Sequence, residues 1–196
     1  MTGAPAMAHA APELSGPAAE TDGLSIELIR RRLASGLVGG HIYLFGRTAS
    51  TTELLARLAE AGARQGTVVV AEDGMDFRLS VLFRLSGALG EAPVLSVLTG
   101  RAAAEALRHT PLPAAVRIEC ATVAHRTDWA ILGIGVNFSA IPGGALPRID
   151  RNAFAAAYLN ALDRLFATYK AGGASAVLAG WRENAICATT SSSLAC

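Results

Sequence analysis

Two stretches of this sequence combine residue types able to hold a small ligand. In the first, Gly133, Gly135 and Asn137 alternate with Ile134 and Val136 in an apolar run that begins at Trp129 and meets Pro142, Gly143 and Gly144. Glycine weakens a strand through lost packing and extra chain entropy. Glycines at alternate strand positions therefore mark a place where a ligand or another backbone comes close, with Asn137 as the polar group at its end. In the second stretch, Ser50, Thr51 and Thr52 present three hydroxyls at the start of an amphipathic segment. Ser50 with Glu53 three residues later is also a capping box, in which each side chain satisfies an orphaned backbone donor, and this alone is sufficient reason for the serine.

Other chemistries are excluded by spacing. A dinucleotide fingerprint needs a third glycine and a helix after the first two, but Phe138 stands at that glycine position and Pro142 follows. The sequence has no Walker loop, no Gly-x-Ser-x-Gly elbow and no cluster of metal-ligand residues, and His41, His109 and His125 are isolated. Cys120, Cys187 and Cys196 are odd in number and widely spaced, which fits neither a disulfide framework nor a zinc site. The net charge is +1 and the arginines are scattered, so the composition indicates no nucleic-acid partner. No apolar run approaches the roughly 18 to 20 residues of a membrane span, and a cytoplasmic location is the expectation. Lys170 is the sole lysine.

The elements that must position these groups follow from periodicity. An amphipathic helix starts near Leu24 and is expected to end by Gly36, and His41 to Phe45 reads as a strand. A helix from Thr51 to about Ala63 has Leu54, Leu55, Leu58 and Ala59 on one face. Thr67 to Ala71 reads as a buried strand leading into a tight turn at Glu72, Asp73 and Gly74, with a further strand from Arg78 to Leu85. Pro93 opens a helix to about Arg108 with Val94, Leu98, Ala102 and Ala106 on its apolar face. Ala115 to Val123 and Trp129 to Val136 read as strands paired through a hairpin turn at His125 to Asp128. Asp150 caps a long helix carrying Phe154, Tyr158, Leu162, Leu165, Phe166 and Tyr169, stopped by Gly172 and Gly173, and Ser175 is expected to cap a last short helix. The sum is an α+β domain over residues 24–185, a mixed and largely antiparallel sheet with helices against it. Residues 1–23 read as a disordered leader and 186–196 as a disordered tail.

Six pieces in order carry a resemblance. They are Arg47-Thr-Ala-Ser-Thr-Thr-Glu-Leu-Leu, Gly66-Thr-Val-Val-Val-Ala-Glu, Leu79-Ser-Val-Leu-Phe-Arg-Leu, the helix beginning Ala92-Pro-Val-Leu-Ser-Val-Leu-Thr-Gly-Arg, Leu132-Gly-Ile-Gly-Val-Asn and Val177-Leu-Ala-Gly-Trp-Arg. Together, over roughly Leu24 to Arg182, they resemble the catalytic domain of biotin protein ligases, within the biotin and lipoate protein ligase family and its class II aminoacyl-tRNA synthetase-like fold. The resemblance implies an ATP-dependent reaction in which biotin is adenylated with Mg and then passed to a lysine of a biotin carboxyl carrier domain. It implies that Ser50, Thr51 and Thr52 touch biotin and that Gly133, Gly135 and Asn137 lie beside biotin and the adenylate. A ureido ring in an otherwise apolar pocket needs a few fixed hydrogen-bond partners of this kind.

The departures from the family pattern bear on activity. The arginine- and glycine-rich phosphate loop expected after the Val-Val-Val strand is absent, and Glu72, Asp73, Gly74, Met75 and Asp76 stand there instead. The Lys-Trp-Pro-Asn-Asp segment is also absent, and Arg117 occupies the position of a later family lysine. Arginine is a poor substitute for a tuned lysine, and an ordinary edge-strand arginine is the other reading of Arg117. The expectation is a divergent homologue, impaired in adenylate formation, whose status as an enzyme is open. The alternatives are a non-catalytic relative that binds biotin, lipoate or a carrier or pairs with a true ligase, and, less well supported without a family lysine, a lipoate or octanoate transferase. A homodimer is compatible with each.

Overall fold

The structure, a computed structural model, describes residues 23–34, 36–74, 76–85, 92–109, 117–126, 129–137 and 150–183. The expected leader and tail fall outside them, apart from Gly23. In chain order the elements are α1 (Ile26–Arg31), β1 (Ile42–Phe45), α2 (Thr51–Glu60), β2 (Val68–Asp73), β3 (Asp76–Arg84), α3 (Ala92–His109), β4 (Arg117–Arg126), β5 (Trp129–Asn137) and α4 (Arg151–Glu183). The strands form one five-stranded sheet in the order β1-β2-β3-β5-β4. β1 and β2 are parallel, joined by α2 as their crossover, and every other pair is antiparallel. The expected mixed, largely antiparallel sheet is therefore present, and so is the pairing of β4 with β5.

Alternation along the strands sends two different surfaces to the two faces of the sheet. On one face Val68 and Val70 of β2, Phe77, Leu79, Val81 and Phe83 of β3, and Ala130, Leu132, Ile134 and Val136 of β5 join α1, α3 and α4 in a large apolar core. The helix faces read from sequence supply it: Leu98, Ala102 and Ala106 of α3 and Phe154, Tyr158, Leu162 and Phe166 of α4 are buried. Aromatic contacts seat α4 on β3, with Phe83 and Phe166 ring centroids 4.2 Å apart and Phe77 meeting Phe154 edge-on at 5.7 Å. Among the described residues, the other face is covered by α2, through Leu55 and Ala59 against Val69, Leu82, Trp129 and Ile131.

Several boundaries differ from expectation for identifiable reasons. α1 ends at Arg31, with Arg32 as its C-cap, instead of reaching Gly36. From Arg32 onward α4 holds the chain: Asn160 accepts from Ala34 N and donates to Arg32 O, and Asp163 accepts from Leu37 N. Glu72 and Asp73 belong to β2 because pairing with β3 continues to Asp73 opposite Asp76, leaving only positions 74 and 75 to turn the chain. β4 runs on to Arg126, with a register irregularity between Ala124 and Arg126, while 127 and 128 lie outside the described residues. The helix break expected at Gly172 and Gly173 is at Gly173, whose φ of 65° and ψ of −162° only glycine adopts without strain. Ser175 is not the cap: its hydroxyl donates back across the break to Gly172 O at 3.2 Å.

Candidate functional site

The α2 face of the sheet carries the candidate residues, and strand register arranges them in rows. Residues directly opposite one another project to the same side. The first row is Val69, Ser80 and Gly133; the second is Ala71, Arg78 and Gly135; the third is Asp73, Asp76 and Asn137. On β4, Arg117 is the backbone partner of Asn137. Gly133, Gly135, Asn137 and the backbone of Arg117 thus lie toward one end of the sheet.

The start of α2 covers the first row. Ser50 has extended backbone, and its hydroxyl accepts from Glu53 N at 3.1 Å, so its side chain serves as the N-cap. Thr51 is buried, and its hydroxyl is 2.9 Å from that of Ser80. Thr52, half-buried at the rim, is 3.2 Å from the same Ser80 oxygen. Ser80 is itself 1 % exposed, so these hydroxyls satisfy a polar group that would otherwise be stranded in the core. Gly133 completes the cluster. A β-carbon there would lie 3.0 Å from Ser80 Oγ, 3.4 Å from Thr52 Oγ1 and 3.5 Å from Leu79 O. The close approach that its glycine signalled is therefore, at this position, the start of α2.

The second and third rows lie beyond α2 and are charged. Arg78 donates from Nη1 to Thr48 O at 3.2 Å and to Ala49 O at 3.4 Å. Asp73 is paired with Arg47, and Asp76 accepts from Asn137 Nδ2 at 2.7 Å. Thr48, Ala71, Asp73, Asp76 and Arg78 line a shallow surface depression that encloses no water-sized cavity. On the opposite side of the hairpin Glu72 accepts from Leu24 N and pairs with Arg151, which also donates to Gly74 O, so the acidic hairpin end is tied down from both faces.

The structure thus unites Thr51, Thr52 and Gly133, sets Gly135, Asn137 and the backbone of Arg117 further toward the same end of the sheet, and assigns Ser50 to capping. Ser80, Arg78, Asp76 and Asp73 are additions to the site. Their signal in the sequence was a polar residue at every second position of an otherwise apolar strand, Asp76, Arg78 and Ser80 between Phe77, Leu79 and Val81. No group of three or more His, Cys, Asp or Glu side chains able to hold a metal ion occurs among the described residues. Among them also, no helix is long and apolar enough to cross a membrane.

No family profile matches the sequence, and no curated protein is similar to it at a significant level. Solved structures are similar in fold. A biotin protein ligase-like protein of unknown function from Silicibacter sp. TM1040 superimposes with a TM-score of 0.59 over 76% of this chain and 78% of its own, at 15% identity. The biotin protein ligase of Aquifex aeolicus gives a TM-score of 0.53 at 17% identity over 69% of this chain and 72% of its own, and a structure of that ligase holds biotin and ATP. The Leishmania major ligase in complex with biotin gives 0.53 at 15% identity over 74% of this chain and 81% of its own. At such identities what is common is the architecture: this chain has the biotin protein ligase fold.

Proposed function

We propose that this protein is a divergent biotin protein ligase homologue that holds a biotin-like acyl ligand between the start of α2 and β5 and is impaired in forming the acyl adenylate. The observation that carries the reading is the contrast between adjacent rows. The hydroxyl cluster of Thr51, Thr52 and Ser80 over Gly133 is assembled and satisfied, whereas the hairpin end beside it presents Asp73 directly opposite Asp76. Hydroxyls have donor and acceptor capacity beyond one shared bond, so Thr52 at the rim suits a ureido or amide ligand.

ATP phosphates do not fit the acidic hairpin end. Preorganised cationic donors stabilise developing phosphate charge, and losing a single donor of that kind typically costs about 100- to 1000-fold in rate. Only positions 74 and 75 separate the paired strands, which leaves no chain for a loop that folds over phosphates. Of the cations whose contacts are described at this end, Arg47 is engaged with Asp73, Arg78 with main-chain carbonyls and Arg151 with Glu72. These residues therefore supply no cationic cradle for adenylation.

The direct test supplies biotin, ATP, Mg and a biotin carboxyl carrier domain and follows carrier biotinylation beside an ordinary ligase. The expected rate is at least about 100-fold lower, and a rate near the control overturns the reading. A second reading, a non-catalytic binding module for a biotin- or lipoate-like group or its carrier, is favoured by the intact hydroxyl cluster. It predicts thermal stabilisation by biotin, about 2.7 kcal/mol at 100 times the dissociation constant, with no carrier product.

A further inference from the structure

Residues 46–50 form a strap that leaves β1 at the edge of the sheet and delivers the chain to α2, which packs on β3 and β5. Its anchors are separate from the helix it leads into. Arg47 grips Asp73 with both ends of its guanidinium, Nε to Oδ2 at 3.0 Å and Nη2 to Oδ1 at 3.1 Å. Arg78 rises from β3 and donates to two successive strap carbonyls, those of Thr48 and Ala49. Ser50 then caps α2 at once, so whatever fixes the strap also fixes Thr51 and Thr52 above Ser80 and Gly133.

The charge balance supplies the reason for these anchors. Asp73 and Asp76 are directly opposite on adjacent strands, an arrangement in which like charges repel. Asn137 offers Asp76 a neutral donor, and Arg47 supplies the positive charge for Asp73. The strap is thus the counter-charge of the hairpin, and docking one relieves the other. Arg47 is 82% exposed and Asp73 48%, so this contact is individually weak and sensitive to salt.

We infer that Arg47 and Arg78 are positioning residues that clamp the strap onto the acidic hairpin end and thereby hold the Thr51–Thr52 corner over Ser80 and Gly133. The clamp itself stands on the geometry above; its effect on a ligand rests on the proposed acyl-binding function.

The test is amide hydrogen exchange at Glu53 and Leu54, the hydrogen-bonded amides where the strap enters α2, in the full chain, with the β3 amides of Val81 and Leu82 as an internal control of folding. Arg47→Asp and Asp73→Arg are each expected to speed strap exchange about two- to fivefold, the range of one exposed ion pair, and the charge-swapped double variant to return it to the starting rate. Arg78→Ala is expected to speed it about tenfold by removing a charged donor from two carbonyls, with Arg78→Lys recovering part of the protection. High salt should act like the Arg47 variant on the strap and leave β3 unaffected. Unchanged strap exchange in both single reversals, or a double variant no better protected than either, overturns the clamp. Biotin titrated into the same samples should bind the reversal variants with altered association rates. If biotin does not bind the unsubstituted chain while strap exchange follows the pattern above, the acyl-binding function fails and the clamp stands.

Discussion

Strand β3 shows two chemistries on one backbone. On one side Phe77, Leu79, Val81 and Phe83 are all fully buried against α3 and α4. On the other, Asp76, Arg78 and Ser80 precede Leu82 and Arg84, so polar groups occupy four of the five positions before and around the α2 contact. Even there the ends of α2 are treated differently. Ser80 holds its start through two threonine hydroxyls, while Arg84 donates to Ala59 O and Ala63 O at its finish, at 2.9 and 2.8 Å. The difference teaches where stability and ligand chemistry reside. The apolar face carries most of the burial, which leaves the other free to bear groups that would be a burden in a core.

Breaking the apolar face should cost most. Phe83→Ala removes a ring in contact with Phe166 and leaves a cavity, so chemical denaturation should report a loss of about 3 to 5 kcal/mol. Gly133→Val tests the other face through crowding. With Ser80 Oγ already 3.0 Å from the position of a β-carbon, the start of α2 must move, and a loss of about 1 to 3 kcal/mol is expected, together with weakened biotin stabilisation if the ligand lies there. Ser80→Ala leaves Thr51 and Thr52 without their shared partner, and Thr51 is buried, so about 1 to 2 kcal/mol should be lost. Arg47→Ala sits at the far end of the scale: equilibrium stability should fall by less than about 1 kcal/mol, even though strap exchange responds. A large stability loss from Arg47→Ala would erase the separation between the two faces.

Much of the architecture was legible because periodicity survives in the sequence. The apolar faces of α3 and α4 follow directly from residues such as Leu98, Ala102, Phe154 and Leu162, and the pairing of β4 with β5 from two runs around a short turn. The N-cap at Ser50 was legible too, because a capping box is local. Register was not. That Ser80 stands opposite Gly133, and Asp73 opposite Asp76, depends on how the hairpin closes, and a shift of one residue would have turned every one of those side chains to the other face.

The sequence by itself determined the elements, their buried faces, the absence of a long segment after the Val-Val-Val strand, and the small and polar residues at 50–52 and 133–137. Those are properties of residue type and short spacing. Only the tertiary structure decided that Gly133 makes room for the start of α2, that Ser80 joins the two threonines, and that Arg47 and Arg78 answer an acidic hairpin. Each of these is a contact between segments distant in the chain, set by sheet register and helix packing, which no local pattern encodes.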